Sequence, residues 1–342
     1  EAVGLVKAVD HGRAAGFVNA VLRALSRKPE RPPAPPLDTD PAGHVAAAEA
    51  LPRWLAEEWV EWLGAGEALA LAAAMNAPAP LTLRSPRRDE LVARLREGGV
   101  DASPAARSPD GVRIGAGSVA AIARAAGGLP FQVQDEAAQL VTLLAAAELR
   151  GRRARVLDAC AAPGGKAFHL AELLAPGSEV VAVEVHPRKA DALREEAARR
   201  GLPGVKVICA DAGRAIPGLA EGSFDAVLVD APCAGLGTLR RHPELKLRRV
   251  ADDLPRFAAM QAPILRACAR YAKPGAPIVY SICSLSRAEG PRVVEAALGE
   301  GLARLAAPAG FPADVLTSAG DLLTLPSRHG ADGFFAARLV RA

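Results

Sequence analysis

Apolar positions along the chain change their spacing twice, and the changes divide it into three regions. Over residues 1–28, Val3, Val6, Phe17, Val18, Val21, Leu22 and Leu25 recur at helical intervals. Arg23, Arg27 and Lys28 close the segment, where cations suit a helix C-terminus. Residues 1–28 therefore read as helical. Residues 29–41 (PERPPAPPLDTDP) are too proline-rich for a helix and read as a semi-rigid linker, the boundary falling at about 43. From 44 to 128 the pattern is mixed. Trp54, Leu55, Trp59, Trp62 and Leu63 share one helical face and read as core rather than as a base-stacking platform. LTLRSP (81–86) alternates like a strand, 89–97 reads as an amphipathic helix, and 112–114 as a second strand. A small α+β module is expected there.

After Phe131 strand and helix patterns alternate to the end. The predicted strands are 155–159, 180–185, 205–208, 224–230 and 277–283, with helices at 166–174, 187–200, 256–272 and 287–300. A closing pair near 313–316 and 333–340 is expected to be antiparallel. Five βα units followed by such a pair predict a Rossmann-like, doubly wound sheet of seven strands over residues 129–342.

Composition narrows the compartment and the partners. Half of the 342 residues are hydrophobic but only 4% are aromatic, so the core relies on small side chains. A net charge of +4 permits a nucleic-acid partner without requiring one. The five cysteines form no C-x-x-C pair and no zinc-like spacing, which argues for a reducing compartment, no disulfide framework and no metal. No apolar run approaches the roughly 20 residues that span a bilayer, and no signal peptide is evident. A soluble, cytoplasmic monomer without a membrane partner is expected. The chain starts at Glu1, inside a helical pattern, so an upstream part is expected to be missing.

The candidate chemistry lies where strands end, because ligands of open α/β sheets sit beyond the carboxyl ends of the strands. The first βα turn, Asp158-Ala-Cys160-Ala161-Ala162-Pro163-Gly164-Gly165-Lys166, lets a ligand approach the backbone and opens a helix with free N–H groups. No glycine stands at 160 and no hydroxyl follows Lys166, which excludes a P-loop. The G-x-G-x-x-G pattern of a nicotinamide site is also absent. Glu184 ends the second strand at the spacing of a ribose acceptor, and Asp211 follows the third, where an acid can receive an adenine amine. Such a set describes an adenosine-containing ligand without a triphosphate, namely S-adenosylmethionine. Asp230 ends the fourth strand with Cys233 just beyond, and Cys283 ends the fifth. Since strands four and five are neighbours in a doubly wound order, both thiols and Asp230 should face one crevice. Cys160, Cys209 and Cys268 read as packing residues, although Cys160 lies in the ligand loop. Arg240, Arg241, His242, Lys246, Arg248 and Arg249 crowd the segment after Cys233 and are expected to contact RNA phosphates. Arg23, Arg27 and the arginines of 84–96 would extend that footprint.

The stretches VLDACAAPGGKAFHLAELL, DAPCAGLGTLRRHPELK, YSICSLSRAEG and DGFFAARLV, with Glu184 and Asp211, together resemble the Sun/Fmu family of RNA cytosine-C5 methyltransferases, most nearly its members acting on 16S ribosomal RNA. The resemblance is strong from about 130 to 342. GFVNAVLRALSR (16–27) resembles the last helix of the NusB-like RNA-binding domain found in such enzymes, and 44–128 resembles, more weakly, the small RNA-binding module beside it. The family implies that residues 160–166, Glu184, Asp211 and Asp230 line the S-adenosylmethionine site. It also implies that Cys283 is the nucleophile, that Cys233 assists product release, and that Asp230 binds the pyrimidine. Ile282 stands where the family has Thr, Gly290 where it has Asn, and the segment after Lys246 is one residue short and lacks a Trp. Action on transfer RNA or 23S ribosomal RNA would use the same motifs, and a catalytically weak ribosome-assembly factor is the non-enzymatic alternative.

Overall fold

The computed structural model describes residues 1–9, 11–27 and 33–341. Lys28 and the first part of the expected linker lie outside the described residues. The N-terminal segment, expected to be helical over 1–28, is two helices, α1 (Ala2–Ala8) and α2 (Ala15–Arg27). A 3-10 turn over Gly12–Ala14 separates them, and glycine weakens a helix at that point. Of the expected apolar face, Phe17, Val21, Leu22 and Leu25 remain exposed.

Helices α3 (Pro41–Glu49), α4 (Arg53–Leu63) and α5 (Ala65–Asn76) follow. Asp40 caps α3 by accepting from the Gly43 amide. Trp59 is fully buried, as its position in the pattern predicts, in a core shared with Leu236, Leu239, Leu285 and Leu325 from far along the chain. Its indole N–H donates to the Leu285 carbonyl at 3.0 Å. The second half of the small region is a separate layer. Strands β1 (Leu81–Arg84), β2 (Asp101–Pro104), β3 (Gly111–Ala116) and β4 (Gln132–Val133) form an antiparallel sheet in the order β2-β3-β1-β4. Helices α6 (Arg88–Glu97) and α7 (Val119–Ala126) cover it through Leu91, Leu95 and Ile122. The short strand β4 carries this sheet past residue 128.

Helix α8 (Glu136–Ala146) leads into the large sheet. Its strands are β5 (Arg155–Asp158), β6 (Glu179–Glu184), β7 (Val205–Cys209), β8 (Ala226–Asp230), β9 (Ile278–Ile282), β10 (Leu302–Arg304), β11 (Leu322–Thr324) and β12 (Phe334–Arg341). The order is β10-β12-β9-β8-β5-β6-β7, with β11 added alongside β12. The pairs β5–β6, β6–β7, β5–β8 and β8–β9 are parallel, whereas β12 runs antiparallel to β9. Helices α9 (Gly165–Leu173), α10 (Pro187–Arg199), α11 (Leu245–Arg248), α12 (Asp253–Ala269), α13 (Pro291–Leu298) and α14 (Pro326–His329) complete the fold. Strand β8 shows why the sheet must be covered twice. Ala226 and Leu228 face the core built with α8 and α9, while Val227 and Val229 face the core built with α12 and α13. Its apolar run serves two layers.

One predicted strand is absent. Residues 313–315 form a 3-10 turn, and β11 supplies the partner of β12 instead. Arg107 from the small layer holds Asp314 there at 2.7 Å, and Leu316 retains only an isolated bridge to Leu322. From β5 the chain winds outward through β6 to β7, then returns to place β8 on the other side of β5. The reversal opens a crevice at the β5/β8 strand ends.

Candidate active site at the strand ends

Parallel pairing of β8 with β9 sets Asp230 opposite Ser281, so the residues just past both strands must meet. The Cys233 and Cys283 sulfurs lie 3.4 Å apart. Two backbone bonds hold this approach. The Gly237 amide donates to the Cys283 carbonyl at 3.0 Å, and the Gly333 amide donates to the Gly237 carbonyl at 2.8 Å. A Cβ on Gly237 would fall 1.8 Å from the Gly333 carbonyl oxygen, so only glycine fits.

Charge gathers beside the thiols. Lys166, from the first turn of α9, pairs with Asp230 at 2.6 Å, and Ser281 donates to the other Asp230 oxygen at 2.8 Å. Burial opposes the Lys166 charge, but Asp230 outweighs it and the ammonium is held above its ordinary pKa. Asp158, at the end of β5, is buried, and neither carboxylate oxygen finds a side-chain partner among the described residues. Burial, with the negative charge of Asp230, pushes its pKa up to about 7. The sequence reading opened the first turn with Asp158 but gave it no role. The available signal was its place at a strand end, the same signal that singled out Glu184.

The turn expected to hold the cofactor begins at this point. Gly164 adopts φ 108°, and a Cβ there would lie 2.5 Å from the Phe168 ring, so the tight turn requires glycine. Cys160, Ala161, Ala162, Pro163 and Gly165 complete the turn, and burial pushes the Cys160 thiol well up. No side chain caps α9, whose first amides open toward the turn. Behind it, Arg84 of β1 is buried and donates to the Gly165 carbonyl and to both oxygens of Glu172. Glu184 ends β6 and accepts from the His186 amide. Asp211 is half exposed, accepting from the Gly213 amide with Arg214 at 3.4 Å. Cys209 is exposed rather than packed, because β7 is the sheet's edge, whereas Cys268 is buried.

The basic cluster divides. Arg240 is almost completely buried and pairs with Asp332 at 2.7 Å, while Arg241 reaches Asp332 at 2.6 Å and Asp135 at 3.0 Å. These guanidinium groups, expected on phosphates, tie the Cys233 loop to the α8 cap and the β12 loop. Lys246 donates to Asn76 at 2.5 Å, and Arg249 donates to the Ala234 carbonyl at 3.0 Å while covering Phe257. His242 and Arg248 face solvent, and beside them Leu247 is 90% exposed. A second residue was missed entirely. Glu289, fully buried under both thiol loops, accepts from the Ala234 amide, Gln261 and Ser284. Nothing in its local sequence signals this role, which arises from contacts across the fold.

An orphaned buried carboxylate, a glycine turn with open amides and an acid at the next strand end fit a ligand carrying an ammonium group and ribose hydroxyls. With this sheet, the site defines an S-adenosylmethionine-dependent methyltransferase. The 16S rRNA methyltransferase RsmB/F family model matches residues 145–340, and the RsmF/B-like ferredoxin-like domain model matches 51–120. The chain belongs to the RsmB/F family. It is 34% identical to the probable ribosomal RNA small subunit methyltransferase B of Bacillus subtilis, over 98% of this chain and 76% of that one. With the ribosomal RNA small subunit methyltransferase B of Xanthomonas campestris it shares 37% identity, over 98% and 74%. The solved structure of PH0851 superposes with a TM-score of 0.82 at 25% identity, covering 99% of this chain and 76% of that one.

Proposed function

We propose that this enzyme methylates C5 of a cytosine in RNA, with 16S ribosomal RNA as substrate, through a covalent bond between Cys283 and C6. The observation that carries the reading is the pair of thiols 3.4 Å apart beside the Lys166–Asp230 pair. The names of the relatives support ribosomal RNA as the substrate, which would be met in the cytoplasm.

S-adenosylmethionine supplies, when bound, a methyl group made electrophilic by its sulfonium. Asp158, Glu184, Asp211 and the turn 160–166 would hold it. C5 of cytosine is a poor nucleophile until a thiolate adds to C6 and makes C5 enamine-like. Cys283 performs that addition, and Lys166 stabilises the thiolate that precedes it. Asp230, steadied by Lys166 and Ser281, receives the N3 and exocyclic amine edge as charge develops in the ring. The C5 proton then leaves to a base, the Cys283–C6 bond breaks, and the thiolate is regenerated. The hydrogen bond to Cys283 and burial hold the Cys233 thiol protonated at rest. Once Cys283 is a neutral thioether the largest part of that hold is lifted, so Cys233 can release its proton to water and its thiolate can take the C5 proton. The target base must leave its stack for both faces to be reached. His242 and Arg248, with residues of the small sheet and α2, would meet the RNA backbone.

Cys283→Ala should abolish methylation and any covalent RNA adduct, and turnover that persisted would reassign the nucleophile. Cys233→Ala should accumulate a protein–RNA complex stable on denaturing gels. Normal RNA binding without such a complex would sink the two-thiol scheme.

A further inference from the structure

Glu289 occupies the point where the two thiol loops meet. Its Oε1 accepts from the Ala234 amide at 2.8 Å, next to Cys233, and its Oε2 accepts from Ser284 at 2.6 Å, next to Cys283. Gln261 of α12 donates to the same Oε1 at 3.0 Å and also to the Pro232 carbonyl at 2.9 Å, so Cys233 is gripped on both flanks. The Tyr280 hydroxyl lies 3.0 Å from Gln261 Oε1 and 2.5 Å from the Glu289 carbonyl, which fixes the Gln261 orientation. Every group facing the carboxylate is a donor, the arrangement an ionised acceptor-only group requires. Burial nevertheless pushes its pKa upward, against those donors and the Arg249 charge.

The charges around the two sulfurs differ. Lys166 feels the Cys283 sulfur, whereas Cys233 is held up by its hydrogen bond to Cys283, by burial, and by the charges of Cys283, Glu289 and Asp230. Resting on the covalent reading above, we propose that Glu289 is a positioning residue that gives the thiols unlike roles. It grips the peptides flanking Cys233 and, as a buried anion beside that sulfur, keeps it protonated. Cys283, on the side of the Lys166 ammonium, is then the thiol left to add to the base. Without Glu289 the pair would become interchangeable, and a thiolate on Cys233 would waste the nucleophilic state. The titratable and charged groups facing this pocket are Lys166, Asp158, Asp230, Arg249, Tyr280 and the two thiols.

The test is alkylation by iodoacetamide of the full chain without RNA or cofactor, read cysteine by cysteine by mass spectrometry from pH 6 to 10. In the parent protein Cys283 should react first. Glu289→Gln keeps the shape and two of the three acceptor contacts, and should raise the Cys233 rate about tenfold, the effect of a fall of roughly one pKa unit. Glu289→Asp, which keeps the charge, should restore slow Cys233 labelling. A folded Glu289→Gln protein with an unchanged labelling order would overturn the proposal. If that variant does not fold, the titration of Cys233 in Cys283→Ala decides. A midpoint above the ordinary thiol value of about 8.5 that falls when Gln261→Met removes the donor shared by Glu289 and Pro232 supports the role, and one that does not fall, or lies at or below that value, refutes it. Neither readout involves methyl transfer. A missing RNA adduct would therefore defeat the covalent reading alone, and unchanged labelling would defeat the Glu289 role alone.

Discussion

The two walls of the crevice are built on opposite principles. On the thiol wall, at β8 and β9, nearly every polar group is matched within the protein. Arg240 and Arg241 meet Asp332 and Asp135, Glu289 meets three donors, and Gly237 clasps both Cys283 and Gly333. On the cofactor wall, at β5 and β6, the buried Asp158 carboxylate has no side-chain partner among the described residues, and α9 opens without a capping side chain. A wall with its own partners is preorganised and rigid, while a wall with orphaned groups is completed by what binds it. The difference separates groups that react from groups that wait.

The strongest way to break the thiol wall is Arg240→Ala, which strips a buried cation from Asp332 and Asp135. A loss of about 3–5 kcal/mol is expected on urea unfolding, the cost of an uncompensated buried charge. A loss below about 1 kcal/mol would mean the network is solvated and the wall is not rigid.

Asp158→Asn probes the waiting wall through pH. The folded, unliganded chain ionises Asp158 only near pH 7, whereas an unfolded chain does so near 3.8. Its folded pKa is raised, so stability present below about pH 4 is lost as pH climbs through 7, on the order of 4 kcal/mol. The variant should therefore melt higher than the parent above pH 7 without cofactor, and the gap should close toward pH 4. It should also bind S-adenosylmethionine at least about tenfold more weakly. Identical melting curves across that range would show that the carboxylate finds partners of its own.

Gly237→Ala should lower single-turnover methylation by about 100-fold, since the new Cβ must push the Cys233 loop off Gly333 and away from Cys283. Stability should fall by only about 1–3 kcal/mol. An unchanged rate would remove the clasp from the account of the site. The smallest effect belongs to Arg248→Ala, which should leave melting unchanged, cost under about 1 kcal/mol in RNA affinity and reduce the salt slope by about one.

Much of this was legible because apolar spacing reports which faces are covered. The strand runs at 155, 180, 205, 224 and 277 predicted a doubly wound sheet, and parallel neighbours then required Cys233 and Cys283 to meet. Charge is different, because its sign shows in the sequence while its partner does not. Arg240 and Asp332 are 92 residues apart, so the first two members of a cluster that reads as a solvent-facing RNA surface became part of an ion network. Glu289 was hidden for the same reason. The strand expected at 313–316 was lost to tertiary pinning by Arg107, which no local pattern encodes. The positions of Glu184 and Asp230 were easier to foresee because both residues end strands, where topology itself assigns their place.

The bond from Trp59 to Leu285 spans 226 residues, and it has a consequence in time. At roughly 5–20 residues per second of synthesis, helices α3 to α5 emerge about 10–45 s before Leu285. Throughout that interval they present an unfinished apolar surface to the cell. The segment carrying Cys283 arrives late, and Leu285 just beyond it joins a core begun early in synthesis.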